Sequence, residues 1–509
     1  MPLQKNQVLT LQVERLSSDG SGVAHSPEGE TVFIPGAAPG DETRVRIVKD
    51  CKRYAFGILD EVLKPSPDRI PVDCAVAGPC GGCSLRHLDY AAELRAKQEN
   101  VADAFARIGG LDVPVLPIVG SPEIDRYRNK VQFPVGTDKA GHPCIGFYAG
   151  RTHRIVPCPD CRLQPGVLNE IGNTLCAFFA EKGIHPYNEE TGKGLVRHIF
   201  LRRGAHSGQI MVCLVCTRAK LPSAEELCTR LKEAFPDIVT ILLNVNAKNT
   251  NVILGSETHT LYGQGYIEDT LCGVPVQLGP LSFYQVNTLA AEQLYGIATE
   301  YAQLTPDDLL LDLYCGMGTI GLSMADHCRE LVGVEIVPEA IESAKANAAR
   351  MGAAVSAKSR FFCADAGQAA AQLAAEGLHP DVVMLDPPRK GCDEATLSAV
   401  VRMAPRRVVY VSCNPATAAR DAAWLEQNGY HAEKVQPVDL FPRTKHCEAV
   451  LLLTKLNVER HIEVDVNMEE LDVTAAESKA TYNEIRDYVW EHHQLKVSNL
   501  YIAQVKQKY

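Results

Sequence analysis

The chain has 509 residues, of which 46% are hydrophobic and 22% charged, and its formal net charge is −11 at pH 7. This composition predicts a folded protein of about two to four domains and excludes one that is basic throughout. The sequence has no long apolar run, and the N-terminal MPLQKNQVLT lacks a signal-peptide core, so we expect a cytoplasmic protein without membrane spans.

Residues 1–63 alternate apolar and polar side chains in short segments such as QVLTLQVERL, TVFIP and TRVRIVKD, separated by glycine-rich turns. Strands of this length and spacing predict a small, OB-like β-barrel. The proline-rich KPSPDRIPVD that follows is typical of a linker.

A group of cysteines comes next, at a spacing typical of metal ligation. The segment CAVAGPCGGC contains Cys74, Cys80 and Cys83, and its two adjacent glycines leave room for a bulky ligand. A fourth thiolate is available from Cys158 or Cys161 in VPCPDC. Four cysteines can hold a [4Fe-4S] cluster or a zinc ion, and the spacing leaves both open.

The stretch from 121 to 279 mixes strands with a few helices and predicts an α+β domain. Between Arg126 and Arg203 it carries twelve Lys and Arg against six Asp and Glu. A basic face on an acidic protein suits a polyanion, although ordinary solvated surface is an alternative. In DRYRNKVQF, strand spacing predicts that Arg126, Arg128 and Lys130 share one face that contacts phosphates.

From Pro280 onwards strands and helices alternate strictly. This pattern predicts a doubly wound, mainly parallel, Rossmann-like α/β sheet. The last segment, 456–509, predicts a helical appendage in which Tyr482, Ile485 and Val489 share one helical face.

The first strand of the α/β sheet leads into a glycine turn, LDLYCGMGTIGL. Gly316 and Gly318 allow a ligand to approach the backbone closely, as in dinucleotide and S-adenosylmethionine sites. Glu335 ends the next strand, where a carboxylate can accept hydrogen bonds from ribose hydroxyls. Asp365 follows the third strand and is predicted to lie near an adenine edge.

Asp386 lies in LDPPRKG, where two prolines stiffen the chain after the acid. A nicotinamide enzyme has no evident use for this arrangement, which favours a methyl donor over a hydride carrier. Cys413 ends the next strand, and Glu448 precedes a final apolar strand. A thiolate and a carboxylate beside a methyl donor predict methylation at C5 of a pyrimidine, with Cys413 adding to C6 and Glu448 removing the C5 proton. Amino-methylating enzymes also contain Asp-Pro-Pro but would need no such cysteine.

These segments resemble the TrmA-like RNA (uracil-C5)-methyltransferases, in particular the bacterial 23S rRNA (uracil-C5)-methyltransferases, over about residues 1–455. The motifs that carry the resemblance are FYQVN, DLYCGMGTIGL, GVE, LDPPRKG, SCNPAT and FPRTKHCE. The resemblance implies that the barrel is an RNA-binding TRAM domain and that the donor is S-adenosylmethionine. It also implies a [4Fe-4S] cluster on Cys74, Cys80, Cys83 and Cys161, with Cys413 as nucleophile and Glu448 as base.

The resemblance implies that four residues contact S-adenosylmethionine and that Asp365 lies near its adenine. The four are Gln285, Tyr314, Glu335 and Asp386. Phe283, near Gln285, is a candidate for stacking on a base, with core packing as the alternative. Tyr314 and Thr319 stand where Phe and Asn are common in the family, and Cys447 where Val is common.

The resemblance further implies a domain organisation. The ranges are 1–63 for the TRAM barrel, 72–91 and 121–279 for the central iron-sulfur and RNA-binding domain, and 92–120 and 280–455 for the methyltransferase domain. We expect a monomer that acts on a single-stranded or loop uridine of 23S rRNA and binds neither DNA nor a membrane.

Two other functions are compatible with parts of this pattern. One is transfer-RNA uracil-C5 methylation, although such relatives generally lack the barrel and the cysteine cluster. The other is a non-catalytic RNA-binding iron-sulfur protein, against which the presence of both Cys413 and Glu448 argues.

Overall fold

The computed structural model describes residues 3–150, 152–248 and 250–456 together with Trp490. The predicted C-terminal appendage, with Tyr482, Ile485 and Val489, therefore lies outside the described residues except for Leu456 and Trp490. Within the described residues, no helix combines the length and the apolar character that a membrane crossing requires.

Five strands near the N-terminus form a closed barrel, as the alternating pattern predicts. Their order around the barrel is β1-β2-β3-β5-β4, with the bounds β1 (Val8–Leu16), β2 (Ser21–His25), β3 (Thr31–Pro35), β4 (Glu42–Asp50) and β5 (Tyr54–Lys64). Inward side chains such as Val13 and Val32 are almost completely buried. The interior is so tight that a Cβ on Gly57 would collide with Val45.

Two helices follow the barrel, α1 (Ala77–Cys80) and α2 (Tyr90–Asp103), and a π-helical turn, Ala104–Gly109, extends α2. The Asp89 carboxylate caps α2 by accepting a 2.9 Å hydrogen bond from the Ala92 amide. Val101 and Phe105 are buried among apolar side chains of the C-terminal sheet. This early segment therefore packs against the part of the chain that carries Cys413.

The central part of the chain forms a seven-stranded sheet in the order β12-β11-β10-β9-β6-β7-β8, accompanied by two helices. The bounds are β6 (Lys130–Thr137), β7 (Pro143–Tyr148), β8 (Ile155–Pro157), α3 (Gly166–Glu181), β9 (Val196–Arg203), β10 (Ile210–Cys216), α4 (Ala224–Ala234), β11 (Ile238–Val245) and β12 (Glu257–Tyr262). A hairpin of β13 (Ile267–Leu271) and β14 (Val274–Leu278) leads to the last domain.

The prediction that Arg126, Arg128 and Lys130 share a strand face is wrong. The strand begins only at Lys130, and Arg126 has a φ of 61°, in the left-handed region. Its guanidinium lies 2.6 Å from an Asp160 carboxylate oxygen and also donates to the Cys161 carbonyl. Arg126 thus holds a turn together. Of these three residues, Arg128 and Lys130 have no carboxylate partner among the described residues.

The C-terminal domain alternates strands and helices as predicted. The elements are α5 (Thr288–Ala302), β15 (Leu309–Leu313), α6 (Thr319–Ser323), β16 (Glu330–Glu335), α7 (Pro338–Arg350), α8 (Ala353–Lys358), β17 (Ser359–Cys363), α9 (Ala366–Ala375), β18 (Val382–Leu385), α10 (Glu394–Met403), β19 (Arg407–Ser412), α11 (Pro415–Gln427), β20 (Tyr430–Val438) and β21 (Glu448–Lys455). A short 3₁₀ turn, Ala325–His327, follows α6.

The seven strands of this domain form one sheet in the order β17-β16-β15-β18-β19-β21-β20. β21 is the one strand of this sheet that runs opposite to the other six. Every residue of β15 and β18 is buried, because helices cover both faces of the sheet. The strand order reverses direction between β15 and β18, and sheets of this type bind ligands at the carboxyl ends of the strands beside such a point.

Candidate active site

The sheet register brings three of the predicted residues to one edge. Leu313 pairs with Val334 on one side and with Leu385 on the other. The residues that follow these three positions are Tyr314, Glu335 and Asp386. They therefore leave neighbouring strand ends at the edge where an α/β sheet binds its ligand.

The glycine turn is fixed by the carboxylate of Glu335. The amide of Gly316 donates to one Glu335 oxygen at 3.1 Å, and the amide of Val337 donates to the other at 2.9 Å. Gly316 and Gly318 have φ values of 55° and 79°, which glycine adopts without a Cβ penalty. The turn thus presents bare backbone beside a carboxylate that is held in place.

Two of the residues predicted to contact the methyl donor, Tyr314 and Asp365, also form hydrogen bonds within the protein. Tyr314 has a φ of 66°, an uncommon conformation for a residue with a side chain, and its hydroxyl lies 3.3 Å from the Thr396 hydroxyl. Asp365 caps α9 by accepting a 3.2 Å hydrogen bond from the Gln368 amide. In both residues one polar group is already engaged within the protein.

Gln285 lies where the central sheet meets α5. It is half-buried, and its carbonyl accepts a 2.7 Å hydrogen bond from the Asn129 side chain. Phe283, two residues earlier, is 71% exposed. This exposure disagrees with core packing as its role and leaves the ring free to stack on a ligand.

Cys413 and Glu448 are brought together by the pairing of β19 with β21. Ser412 pairs with Ala449 in this antiparallel ladder, so Cys413 and Glu448 are the next residues on the two strands. Cys413 is half-buried, whereas Glu448 is 6% exposed. A thiol and a carboxyl thus flank the same end of the sheet.

Burial changes the acidity of this pair. It raises the pKa of Glu448 to about 8, helped by the nearby Asp386 carboxylate and opposed by the Arg389 guanidinium. Burial also raises the pKa of the Cys413 thiol, and the negative charges of Glu448 and Asp386 raise it further. Asp386 itself has its pKa raised to about 7 by desolvation. A carboxyl with a pKa near neutrality is suited to general-base catalysis.

A cavity of about 510 Å³ opens in front of Cys413. Its walls come from the end of β1, from the π-helical turn and from the loop before β21. Basic side chains on its walls are Arg15, Arg107, Arg389 and Lys445. Lys97 also contributes to the walls, but its charge is neutralised by Glu93 and Asp439, and Arg107 lies 3.3 Å from Asp103. Such a lining favours a polyanion.

The cysteines predicted to bind a metal come from two segments that meet. Cys80 interacts electrostatically with Cys74 and Cys161, and Cys83 interacts with Cys80 and Cys161. Cys158, the alternative fourth ligand, is 3% exposed and also lies beside this group. Among the described residues, however, no three His, Cys, Asp or Glu side chains are arranged to hold a metal ion.

The chemistry of the donor set nevertheless fits a thiolate-ligated group. The pKa of the Cys161 thiol is lowered, mainly by its hydrogen bond with the Cys158 thiol. Backbone amides of Leu163 and Gln164 also donate to that sulfur. A sulfur that accepts hydrogen bonds, as Cys161 does from the Gln164 side chain at 3.8 Å, is suited to the thiolate form that binds metal.

Comparison with known proteins agrees with this geometry. A family model described as tRNA (Uracil-5-)-methyltransferase matches residues 207–456, and a TRAM domain model matches residues 2–59. An RNA methyltransferase of Halalkalibacterium halodurans is 43% identical over 457 residues, which cover 90% of this chain and 99% of that protein. One from Listeria innocua is 42% identical, with coverage of 89% and 98%.

The chain belongs to the RNA (uracil-C5)-methyltransferase family. It is an S-adenosylmethionine-dependent RNA methyltransferase with an N-terminal TRAM domain. A solved structure that is similar to it is the Pyrococcus abyssi tRNA (uracil-54, C5)-methyltransferase in complex with S-adenosyl-L-homocysteine. That structure is 27% identical with a TM-score of 0.70, and the match covers 88% of this chain and all of the other.

Arg389 is a residue of the methyltransferase site that the sequence reasoning did not single out. It interacts with both Cys413 and Glu448 and lowers the pKa of each. Its carbonyl accepts a 3.0 Å hydrogen bond from the side chain of Asn414, which caps α11. The available signal was its position directly after the two prolines of LDPPRKG.

Asp312 is a second residue that was missed. It lies inside β15 of the methyltransferase domain, is 1% exposed, and accepts a 3.0 Å hydrogen bond from the Gly321 amide. Burial raises its pKa to about 8, and the nearby carboxylates of Asp386 and Glu335 add to the effect. The signal was an acid in the otherwise apolar run LLLDL.

Proposed function

We propose that this methyltransferase transfers a methyl group to C5 of a specific uridine in 23S rRNA through a covalent adduct with Cys413. The observation that carries the proposal is the adjacency of Cys413 and Glu448 at paired strand ends. C5 methylation requires a nucleophile and a base at the same end of the sheet. The Cys413 thiol supplies the first, and the Glu448 carboxyl, with its pKa of about 8, supplies the second. Amino methylation would need neither.

The reaction begins with addition to the pyrimidine. The ionised sulfur of Cys413 donates an electron pair to C6 of uracil, forming a C6–S bond and moving the C5–C6 double-bond electrons into an enolate. S-adenosylmethionine, when bound, supplies an electrophilic methyl group at a sulfonium. The nucleophilic C5 then takes the methyl carbon as the bond between that carbon and the sulfonium breaks.

Elimination completes the reaction. The Glu448 carboxylate accepts the proton from C5, the C5–C6 double bond forms again, and the C6–S bond breaks. Cys413 regains its thiolate, and Glu448 is left protonated until it releases the proton to solvent. The positive charge of Arg389 favours the ionised forms of both groups, which offsets part of their burial.

We assign the methyl-donor site to the edge around the glycine turn. Gly316 and Gly318 would admit the donor close to the backbone, and the fixed Glu335 carboxylate suits ribose hydroxyls. Gln285, Tyr314 and Asp386 would contact the rest of the donor, and Asp365 would lie near the adenine. The support for this assignment is their common position at the carboxyl ends of the strands.

The substrate is proposed to be a single-stranded or loop uridine, because turning a base out of a loop costs less than turning it out of a duplex. The basic cavity in front of Cys413 and the TRAM barrel beside it support RNA as the partner. We propose a monomer acting in the cytoplasm, with neither DNA nor a membrane as partner.

A transfer RNA is the second candidate substrate. It is favoured by one observation, the match to the tRNA (uracil-54, C5)-methyltransferase of Pyrococcus abyssi over the whole of that chain. The two candidate substrates can be told apart by measuring which RNA, 23S rRNA or tRNA, the enzyme methylates.

We further propose that Cys74, Cys80, Cys83 and Cys161 hold a [4Fe-4S] cluster. The support is that Cys80 interacts with Cys74 and Cys161, that Cys83 interacts with Cys80 and Cys161, and that the Cys161 sulfur accepts a hydrogen bond from Gln164. Such a cluster would tie the segment before α2 to the loop after β8, and it has no role in the transfer steps above.

The experiment is methylation of unmodified transcripts. Purified enzyme, tritiated S-adenosylmethionine and in vitro transcripts of 23S rRNA, 16S rRNA and a tRNA set are incubated, and the nucleosides are separated. The proposal predicts labelled 5-methyluridine from 23S rRNA at one or a few positions. Label only in tRNA would assign the second candidate, and a labelled nucleoside other than 5-methyluridine would contradict the reaction.

A further inference from the structure

A second cavity, separate from the one in front of Cys413, lies between the central sheet and the segment that enters α5. Its volume is about 210 Å³. Arg128, Lys130, Gln132, Phe147, Gln164 and Val286 contribute to its walls. None of these side chains takes part in the reaction described above.

The cavity carries positive charge that the protein does not neutralise. Lys130 stands directly opposite Arg202 in the pairing of β6 with β9, an unfavourable arrangement for like charges. Among the described residues, no carboxylate forms an ion pair with Arg128, Lys130 or Arg202. Burial lowers the pKa of Lys130 to about 8, and the charges of Arg202 and Arg128 lower it further.

Gln164 adds a buried acceptor without a partner. The side chain is 3% exposed, and its Nε2 donates to the Cys161 sulfur at 3.8 Å. This contact engages the amide nitrogen within the protein. The Oε1 atom is left buried and without a hydrogen-bond partner, a state that costs free energy unless a ligand supplies a donor.

We propose that this cavity binds one phosphate and the adjoining ribose of the substrate RNA, with the phosphate on Arg128 and Lys130 and the 2′-hydroxyl donating to Gln164 Oε1. Two cations without a carboxylate suit a phosphate, and an acceptor beside them suits a sugar hydroxyl that DNA lacks. The volume is below the roughly 300–1,000 Å³ of pockets for drug-sized ligands, which fits a single backbone unit. The inference rests on the proposed function, since it concerns the same RNA.

The position of the cavity fits a strand that also reaches Cys413. Val286 lines the cavity and accepts a 2.8 Å hydrogen bond from the Asn129 amide, next to Gln285. Arg128 is close enough to His446 to help lower the pKa of that imidazole, and His446 lines the catalytic cavity. Arg128 therefore lines the second cavity and is also within electrostatic range of the catalytic one, so one RNA strand that reaches both could place a phosphate on it.

The test measures binding rather than turnover. Fluorescence anisotropy compares a short oligouridylate with its 2′-deoxy counterpart over a series of salt concentrations, on the full chain and on two variants. In Gln164→Leu the preference for the ribose form should fall by about three- to tenfold, the effect of one net hydrogen bond. In Lys130→Gln both oligonucleotides should bind less tightly, and the slope of log K against log salt should fall by about 0.7.

Lys139→Gln is the matched control, because Lys139 is an exposed lysine in the turn between β6 and β7. It should change neither the ribose preference nor the salt slope. A full ribose preference in Gln164→Leu, or an unchanged slope in Lys130→Gln, would overturn the inference. If Gln164→Leu does not fold, Lys130→Gln alone decides the phosphate site. A failure of the proposed reaction appears instead in the nucleoside analysis, which this binding experiment does not use.

Discussion

Cys413 and Glu448 stand one residue beyond the Ser412–Ala449 pair, at the same end of two hydrogen-bonded antiparallel strands. The antiparallel insertion of β21 between β19 and β20 produces this relationship. In a wholly parallel sheet the start of β21 would lie at the opposite edge. The sheet topology therefore sets a carboxyl beside a strand-end thiol.

Replacing Glu448 should separate methyl transfer from product release. In Glu448→Gln the thiol can still add and the methyl group can still be transferred, but no carboxylate removes the C5 proton. We expect turnover to fall by about 10²- to 10⁴-fold and a methylated RNA–protein adduct to accumulate. Denaturing gels with labelled RNA detect the adduct. Free methylated RNA released at the wild-type rate would contradict the role of Glu448.

The pH dependence of turnover follows from the raised pKa values. Both Cys413 and Glu448 react in their ionised forms, so protonation of either one stops the cycle. Because the pKa of Glu448 is raised to about 8 and burial raises the pKa of the Cys413 thiol above its usual range, activity should increase as pH rises through about 8 and continue to increase above it. A rate that is constant from pH 6 to pH 9 would disagree with these acidities.

Arg389 should shift this profile. Its charge lowers the pKa of Cys413 and Glu448, so Arg389→Gln should move the rise in activity to higher pH. Because the Arg389 side chain is exposed, solvent screens its charge, and we expect a smaller shift than a buried cation would give. The control is Lys390→Gln, the exposed neighbour, which should leave the profile in place. Equal shifts in the two variants would indicate a general charge effect.

The fourth ligand of the proposed cluster can be assigned by two alanine variants. Cys161→Ala should lose most of the bound iron and the brown colour, because it removes the sulfur that interacts with both Cys80 and Cys83. Cys158→Ala should retain both. Iron and sulfide are measured after anaerobic purification. Loss of iron in Cys158→Ala but not in Cys161→Ala would assign Cys158 as the fourth ligand. Stoichiometric zinc in the purified protein would show that the cysteines bind a zinc ion and not a cluster.

A buried ion group fixes the loop before Glu448. Lys97 Nζ lies 2.7 Å from a carboxylate oxygen of Glu93 and 2.7 Å from one of Asp439, and all three side chains are almost fully buried. Lys97→Met should therefore reduce the free energy of unfolding by about 3–5 kcal/mol, since the buried Asp439 carboxylate loses its cation and Glu93 keeps only the more distant Arg443 guanidinium, 3.7 Å away. Denaturant unfolding measures this loss.

An exposed lysine provides the matched control for that variant. Lys345 Nζ lies 2.8 Å from Glu342 at the surface of α7, so Lys345→Met should cost less than about 0.5 kcal/mol. Similar losses in the two variants would mean that the buried group contributes no more than a surface pair.

The strand ends of the catalytic sheet could be predicted because each is an apolar run that stops at a polar residue. Glu335, Asp386 and Cys413 were found in this way, since the carboxyl ends of parallel strands meet at one edge. Glu448 was found through its motif, because it begins a strand instead of ending one. The barrel was found from its alternation alone.

Other features depend on contacts between distant parts of the chain. Lys97 and Asp439 are separated by 342 positions, and no local pattern shows that they meet. Arg126 has strand spacing but is drawn into a turn by Asp160, an interaction that periodicity does not reveal. The unpartnered Oε1 of Gln164 likewise becomes visible only once the fold places it against Cys161.

The most direct measurement is the trapping of a covalent complex on RNA in which the target uridine is replaced by 5-fluorouridine. Fluorine at C5 cannot be removed as a proton, so the methylated adduct should persist and mass spectrometry should find it on the peptide that contains Cys413. The account predicts this adduct in the wild-type enzyme and its absence in Cys413→Ala, with RNA binding retained. Normal methylation of uridine by Cys413→Ala, or an adduct on another residue, would contradict it.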